Sequence, residues 1–193
     1  MKKLVIILLL LSPLAIKAQN IGFRLDAGIG GAFTFGSFKA YGIAGFTEPK
    51  VLIGSNISAG LRLEGDVLFG GSISDVAEEI SIGLSTRAAI LAKGEYYLGG
   101  GNSRPFVGLG LGRYTVASTS ASGSGTASIS AGNHFGIAPE IGISLGNFRI
   151  SGIYHILTGE DLITISTGGT ESISMNYLVI QIGFKIFGIN DDR

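Results

Sequence analysis

Cysteine is absent, proline numbers only 4, and charged residues make up just 15% of the chain. Without cysteine there is neither a disulfide scaffold nor a lipid-anchored thiol. With so little proline, the 32 glycines belong to neither a collagen nor a proline-rich linker. An ordinary soluble protein carries about 25% charged residues, so this chain is short of the charge that a water-facing surface needs. Nor is one sign in excess: 14 Lys and Arg balance 14 Asp and Glu, which argues against nucleic acid as a partner. No phosphate-binding loop, Ser nucleophile elbow or HExxH pair occurs. The alternation Gly108 to Gly112 resembles a dinucleotide fingerprint only superficially, because no helical pattern follows it. Beyond Ala18, glycines and charges interrupt every apolar run, so no segment reads as a membrane-spanning helix. Any insertion into a membrane must use strands.

What is present begins with a leader. Met1-Lys2-Lys3 is basic, Leu4 to Leu11 is unbroken and apolar, Ser12-Pro13 breaks the run, and Ala15 to Ala18 precedes Gln19. That pattern is a signal peptide over residues 1–18, too short to span a bilayer. Its removal takes away Lys2, Lys3 and Lys17 and leaves a mildly acidic mature chain, residues 19–193, of about one domain.

The mature chain alternates with a period of two. The clearest stretch is Ile57 to Phe69: Ile57, Ala59, Leu61, Leu63, Val67 and Phe69 fall on one face, and Ser58, Gly60, Arg62, Glu64 and Asp66 on the other. Eight such strands are predicted, near residues 21–35, 41–53, 57–69, 82–98, from 105 onward, 135–145, 148–157 and 174–187. Gly54-Ser55-Asn56, Gly99 to Ser103 and Gly146-Asn147 are short turns, the last suited to a primed hairpin. The links near 36–40, 70–80, 117–133 and 158–172 are long or polar. Ala117 to Asn133, rich in Ser, Gly, Ala and Thr, reads as a mobile loop. Short turns on one rim and long loops on the other is the pattern of an outer-membrane barrel.

The polar faces decide which side is inside. They are mostly Gly, Ser and Ala, with thirteen ions of nearly balanced sign: Arg24, Asp26, Glu48, Lys50, Arg62, Glu64, Asp66, Arg87, Lys93, Glu95, Glu140, Arg149 and Lys185. An eight-stranded barrel is just wide enough inside for side chains, and long ions fit there only beside small neighbours. The Leu, Ile, Val and Phe faces then meet lipid, where the sheet must close so that no backbone group is left unpaired. The thirteen ions are expected to form a structural network that plugs the lumen. In the second hairpin, the three-residue turn sets Glu48 opposite Arg62, and Asp26 is expected near Lys185 where the barrel closes.

Catalytic, metal and cofactor sites are not expected. His134 and His155 are the only histidines, and the Gly146-Asn147 turn separates them by about 13 Å at 3.3 Å per residue, too far to share a metal. Asp75, Glu78, Glu79, Glu160, Asp161 and Glu171 fall in outer loops as a solvated acidic rim.

The segments Glu48-Pro49-Lys50, Gly60 to Gly65 and Arg104 to Gly112 resemble those of small outer-membrane β-barrel proteins of the OmpA/OmpX type, in the version common in Bacteroidota. The resemblance covers the mature chain and implies the fold and an outer-membrane location. It brings no catalytic residues. The sequence reading is therefore an all-β, closed antiparallel eight-stranded transmembrane barrel, an up-and-down meander, with a structural or surface-interaction role and no enzymatic activity. The alternatives are a small pore or transporter and a soluble lipocalin-like binding barrel. Expected partners are outer-membrane lipid, the barrel-assembly machinery and periplasmic chaperones during insertion, and a surface partner reached through the outer loops; a monomer is expected.

Overall fold

The computed structural model describes residues 21–34, 40–73, 80–121, 127–158, 161–164, 170–173 and 176–189. The leader, the acidic residues Asp75, Glu78, Glu79 and Glu160, and the charged end of the chain lie outside the described residues. The strands are β1 (Ile21–Thr34), β2 (Ala40–Ile53), β3 (Ile57–Ile73), β4 (Ile80–Tyr97), β5 (Ser103–Ala121), β6 (Ala127–Leu145), β7 (Phe148–Thr158), β8 (Asp161–Thr164), β9 (Thr170–Ile173) and β10 (Tyr177–Ile189). Eight of them close in the order β1-β10-β7-β6-β5-β4-β3-β2, while β8 and β9 pair as a separate small hairpin. Every pairing is antiparallel, so the eight-stranded meander closes with β1 on β10 and leaves no open edge around its wall.

Turn chemistry sets the register. Gly54 and Gly146 sit at φ +61° and +60°, left-handed values that glycine adopts freely. The Gly54 turn pairs Ile53 with Ile57, Leu52 with Ser58 and Lys50 with Gly60, which sends every even-numbered residue of both strands to the same face. The Gly146-Asn147 turn pairs Leu145 with Phe148 and Ser144 with Arg149. Where β10 meets β1, one residue is skipped: Asp26 pairs with Lys185 and Leu25 with Phe187. That bulge at Ile186 turns Phe187 outward, against the ring of Phe23.

Three predicted links differ in the structure. Within Ala117 to Asn133, residues 117–121 and 127–133 are strand: β5 and β6 pair there in a continuous ladder from Thr115–Asn133 to Ala121–Ala127, and residues 122–126 lie outside the described residues. Backbone pairing to neighbouring strands needs no apolar side chains, so a Ser/Gly/Ala segment extends the sheet although its composition reads as loop. The β3–β4 ladder likewise continues past Phe69 to the pair Ile73–Ile80. The link expected over 158–172 contains β8 and most of β9.

Candidate functional site: the lumen and the barrel rims

Alternation carries the charges inward. Twelve ions of the barrel wall are buried: Arg24, Lys50, Arg62, Arg87, Lys93 and Arg149 against Asp26, Glu48, Glu64, Asp66, Glu95 and Glu140. Among the described residues, six buried cations face six buried anions, so these ions balance by direct count. Lys185 stands apart: it lies across the seam from Asp26 as its Cα partner but is only half-buried, next to the bulge at the turn rim.

At the middle of the bore the contacts run between strands far apart in sequence. Lys50 on β2 reaches Asp26 at 2.8 Å, Glu95 at 2.9 Å and Glu48 at 3.1 Å. Lys93 on β4 reaches Glu48 and Glu95 at 2.8 Å each and pairs also with Glu140 on β6. Arg149 on β7 touches four carboxylates, Glu95 at 2.7 Å, Glu140 at 2.8 Å, Asp26 at 3.4 Å and Glu48 at 3.5 Å. Arg24 holds Asp26 at 2.5 Å. Arg62 on β3 pairs with Glu64 at 2.7 Å and Glu48 at 3.3 Å and donates across the bore to Gln181 on β10. Gln181 in turn donates to Ser151 at 2.9 Å and to Glu140 at 3.3 Å. Such a cluster is sustained by multiple partners per ion, since a buried charge with one lost partner is costly.

Aromatic rings fill the space between the ions. The Arg62 guanidinium lies 3.8 Å from the Phe46 ring centroid, Arg149 4.4 Å from Phe106, and Arg87 4.4 Å from Tyr177. At the turn rim Arg104 stacks on Tyr97 at 4.8 Å and donates to the backbone oxygen of Ser55. Tyr97 donates to Glu95 at 2.7 Å, and Asn56 ties the neighbouring turn to the Tyr97 carbonyl at 2.8 Å.

Toward the loop rim the bore changes character. His155, fully buried, lies 3.0 Å from Glu64 through Nε2 and 2.9 Å from the Tyr114 hydroxyl through Nδ1, and its ring stacks on Tyr177 at 4.2 Å. One inward step beyond Asp66, Tyr114 and His155 on their strands stand Leu68, Val116 and Leu157, all buried and apolar. His134 bonds instead to the Thr158 carbonyl at 3.3 Å, so the two histidines serve different surroundings.

Phe46, Phe106, Tyr114, Gln181, Ser58 and Ser151 line the bore but were not among the thirteen ions. Parity alone identifies them, since each shares a face with a lumen ion or glycine on its own strand. A second signal lies across the ladder: small residues opposite large rings. A Cβ at Gly136 would meet Tyr114 Cε2 at 2.7 Å, and one at Gly142 would meet Phe106 Cζ at 2.6 Å.

The outer wall is the inverse. Ile29, Ile43, Leu61, Leu63, Ile90, Leu109, Leu111, Ile141, Ile180 and Ile182 are exposed there. Phe23, Tyr96, Phe148 and Phe184 flank them near the turn rim, and Phe33, Tyr41, Phe69 and Phe135 near the loop rim.

No protein-family model matches the chain. No curated protein matches it either. Among solved structures, Ail, the attachment invasion locus protein of Yersinia pestis, in complex with the heparin analogue sucrose octasulfate, aligns at 11% identity over 87% of this chain and 100% of its own, with a TM-score of 0.46. The N-terminal β-barrel domain of Pseudomonas aeruginosa OprF aligns at 13% identity over 87% and 98% of the two chains, with a TM-score of 0.44. Neisserial surface protein A aligns at 14% identity over 87% and 98%, with a TM-score of 0.42. The closed eight-stranded architecture rests on this chain's own ladders.

Proposed function

We propose that this chain is an integral outer-membrane barrel, delivered by a cleaved signal peptide over residues 1–18, with a lumen closed by ion pairs and a structural or surface-interaction role. The observation that carries the reading is the inversion of the wall: large apolar side chains face out while twelve ions are buried within. In water that arrangement exposes a continuous hydrophobic surface far beyond the few hundred Å² a soluble monomer tolerates. The belt has the height of a bilayer core. Phe23 and Phe33 are ten residues apart on β1, which at about 3.3 Å per residue and a tilt near 40° gives roughly 25 Å. The likeness of Glu48-Pro49-Lys50, Gly60 to Gly65 and Arg104 to Gly112 to OmpA/OmpX-type barrels of Bacteroidota supports the same location.

Closure of the bore is supported by bonds that cross it: β1 to β7, β2 to β7, β3 to β10 and β4 to β6. A non-enzymatic role is supported by the placing of His155, Glu64 and Tyr114. Among the described residues this set is the nearest approach to an acid–base grouping, and it is buried inside the wall beneath Leu68, Val116 and Leu157. A surface role is supported by the ladder of β3, β4, β5 and β6 beyond the loop rim. β7 leaves β6 at the pair Phe135–Thr158, so among the described residues 127–134 of β6 are paired only to β5. A free strand edge offers backbone donors and acceptors to an extended partner segment. Outer-membrane lipid, with assembly machinery and chaperones during insertion, completes the expected set of partners for a monomer.

Cell fractionation is expected to place the mature protein in the outer membrane, with a gel band that shifts on boiling. In planar bilayers the wild-type protein is expected to give no steady conductance. Recovery as a soluble monomer would overturn the membrane reading, and stable single-channel steps would replace the closed lumen with a pore.

A further inference from the structure

One charged residue breaks the inversion. Among the described barrel side chains, Arg113 is the one charged group on the outer face. It is exposed, its cross-strand neighbours are Ile90 and Phe135, and no described side chain pairs with its guanidinium. An arginine facing hydrocarbon is costly at the midplane, and the cost falls away toward the boundary. Its place on β5 fits the boundary. Phe135 beside it belongs to the loop-side aromatic flank. The next outward pair along the same ladder is polar: Thr115 donates to Asn133 Oδ1 at 3.0 Å. That bond orients the Asn133 amide and leaves its NH2 group to donate elsewhere. Arg113, Phe135, Thr115 and Asn133 thus form a two-by-two patch on the exposed wall, with a guanidinium, an amide donor and an aromatic ring side by side.

We propose that this patch binds the phosphate of a lipid headgroup in the loop-side leaflet, with Arg113 as the charged donor, Asn133 as the neutral one, and the Phe135 ring against the first carbons of the lipid. A planar guanidinium offers two parallel donors to phosphate oxygens, which an ammonium does not. The inference rests on the membrane reading above, because a lipid phosphate reaches this height only if the apolar belt is immersed.

The test uses the mature protein in detergent micelles, given equal amounts of phosphatidic acid and of diacylglycerol with the same acyl chains. The two lipids differ only in the phosphate. Native mass spectrometry counts the lipid retained. Wild type is expected to keep phosphatidic acid over diacylglycerol, and Arg113→Gln to lower that ratio about fivefold, the factor one basic residue is worth beside an anionic leaflet. Arg113→Lys is expected to retain part of the preference, and Asn133→Ala to lose less than Arg113→Gln. An excess of inorganic phosphate is expected to leave the bound lipid in place. Equal retention by wild type and Arg113→Gln would overturn the assignment, and so would full displacement by inorganic phosphate, which would make the ligand a free anion. Failure of the membrane reading shows separately, as a wild-type protein that does not insert into liposomes.

Discussion

Gly183 leaves room that two other residues occupy. A Cβ built there would lie 2.7 Å from Arg149 Cγ and 2.9 Å from Phe46 Cζ, its nearest neighbours all being side-chain atoms. Gly183→Ala is therefore expected to displace the stem of the arginine that serves four carboxylates. A loss of about 1–3 kcal/mol is expected, the usual scale of overpacking, read from the urea midpoint of the gel shift in micelles. Phe46→Leu is expected to restore part of it; an unchanged midpoint for Gly183→Ala would mean that the bore yields easily at this height. The twelve buried ions were legible from the sequence because each sits in step with small or polar neighbours, as Arg62 does between Gly60 and Glu64. Phe46 and Phe106 were legible by parity but not by polarity, because an apolar residue on a polar face breaks the pattern that identifies the face. Only the three-dimensional fit of ring to glycine explains them.

Strand boundaries were legible where a turn residue forces them and obscure where composition alone had to speak. Gly146-Asn147 marks the β6–β7 turn to the residue, and the Gly54 turn fixes the register that brings Glu48 and Arg62 within 3.3 Å. The bulge at Ile186 left no such mark, because an extra residue in a ladder is a pairing event between two distant segments. The Ser/Gly/Ala stretch misled for a related reason: it has no apolar face, so periodicity is silent, yet its backbone is paired on β5 and β6. Amide exchange discriminates. Amides within the ladder from Thr115–Asn133 to Ala121–Ala127 are expected to exchange more slowly where β5 is flanked on both sides than on β6, whose far edge lacks β7 there. Uniformly fast exchange across both would return the segment to a loop.

For the molecule as a whole, the equal tally of six buried cations and six buried anions is the quantity under constraint. Arg62→Met leaves a carboxylate in excess and is expected to cost about 3–5 kcal/mol, the scale of a stranded buried charge. Glu48→Gln together with Arg62→Met returns the tally to five against five, and this double variant is expected to unfold at higher urea than the single one. A double variant weaker than Arg62→Met would show that individual contacts, not neutrality, govern the bore. Hairpin order and wall polarity were open to sequence reasoning because they depend on neighbours in the chain. The pair Glu48–Arg62 followed from the turn register, but the pairings between distant strands did not, since they join residues as far apart as Asp26 and Arg149, separated by 123 positions. That distance has a consequence for the history of each molecule. Asp26 arrives with the first hairpin, but Arg149 and Gln181 arrive with the last strands, so the contacts of Asp26 with Arg149 and of Arg62 with Gln181 are the last to form. Until then the locally made pairs, Arg24 and Lys50 with Asp26 and Arg149 with Glu140, hold the charges of each half. The seam therefore adds the long-range contacts to pairs that the neighbouring strands have already made.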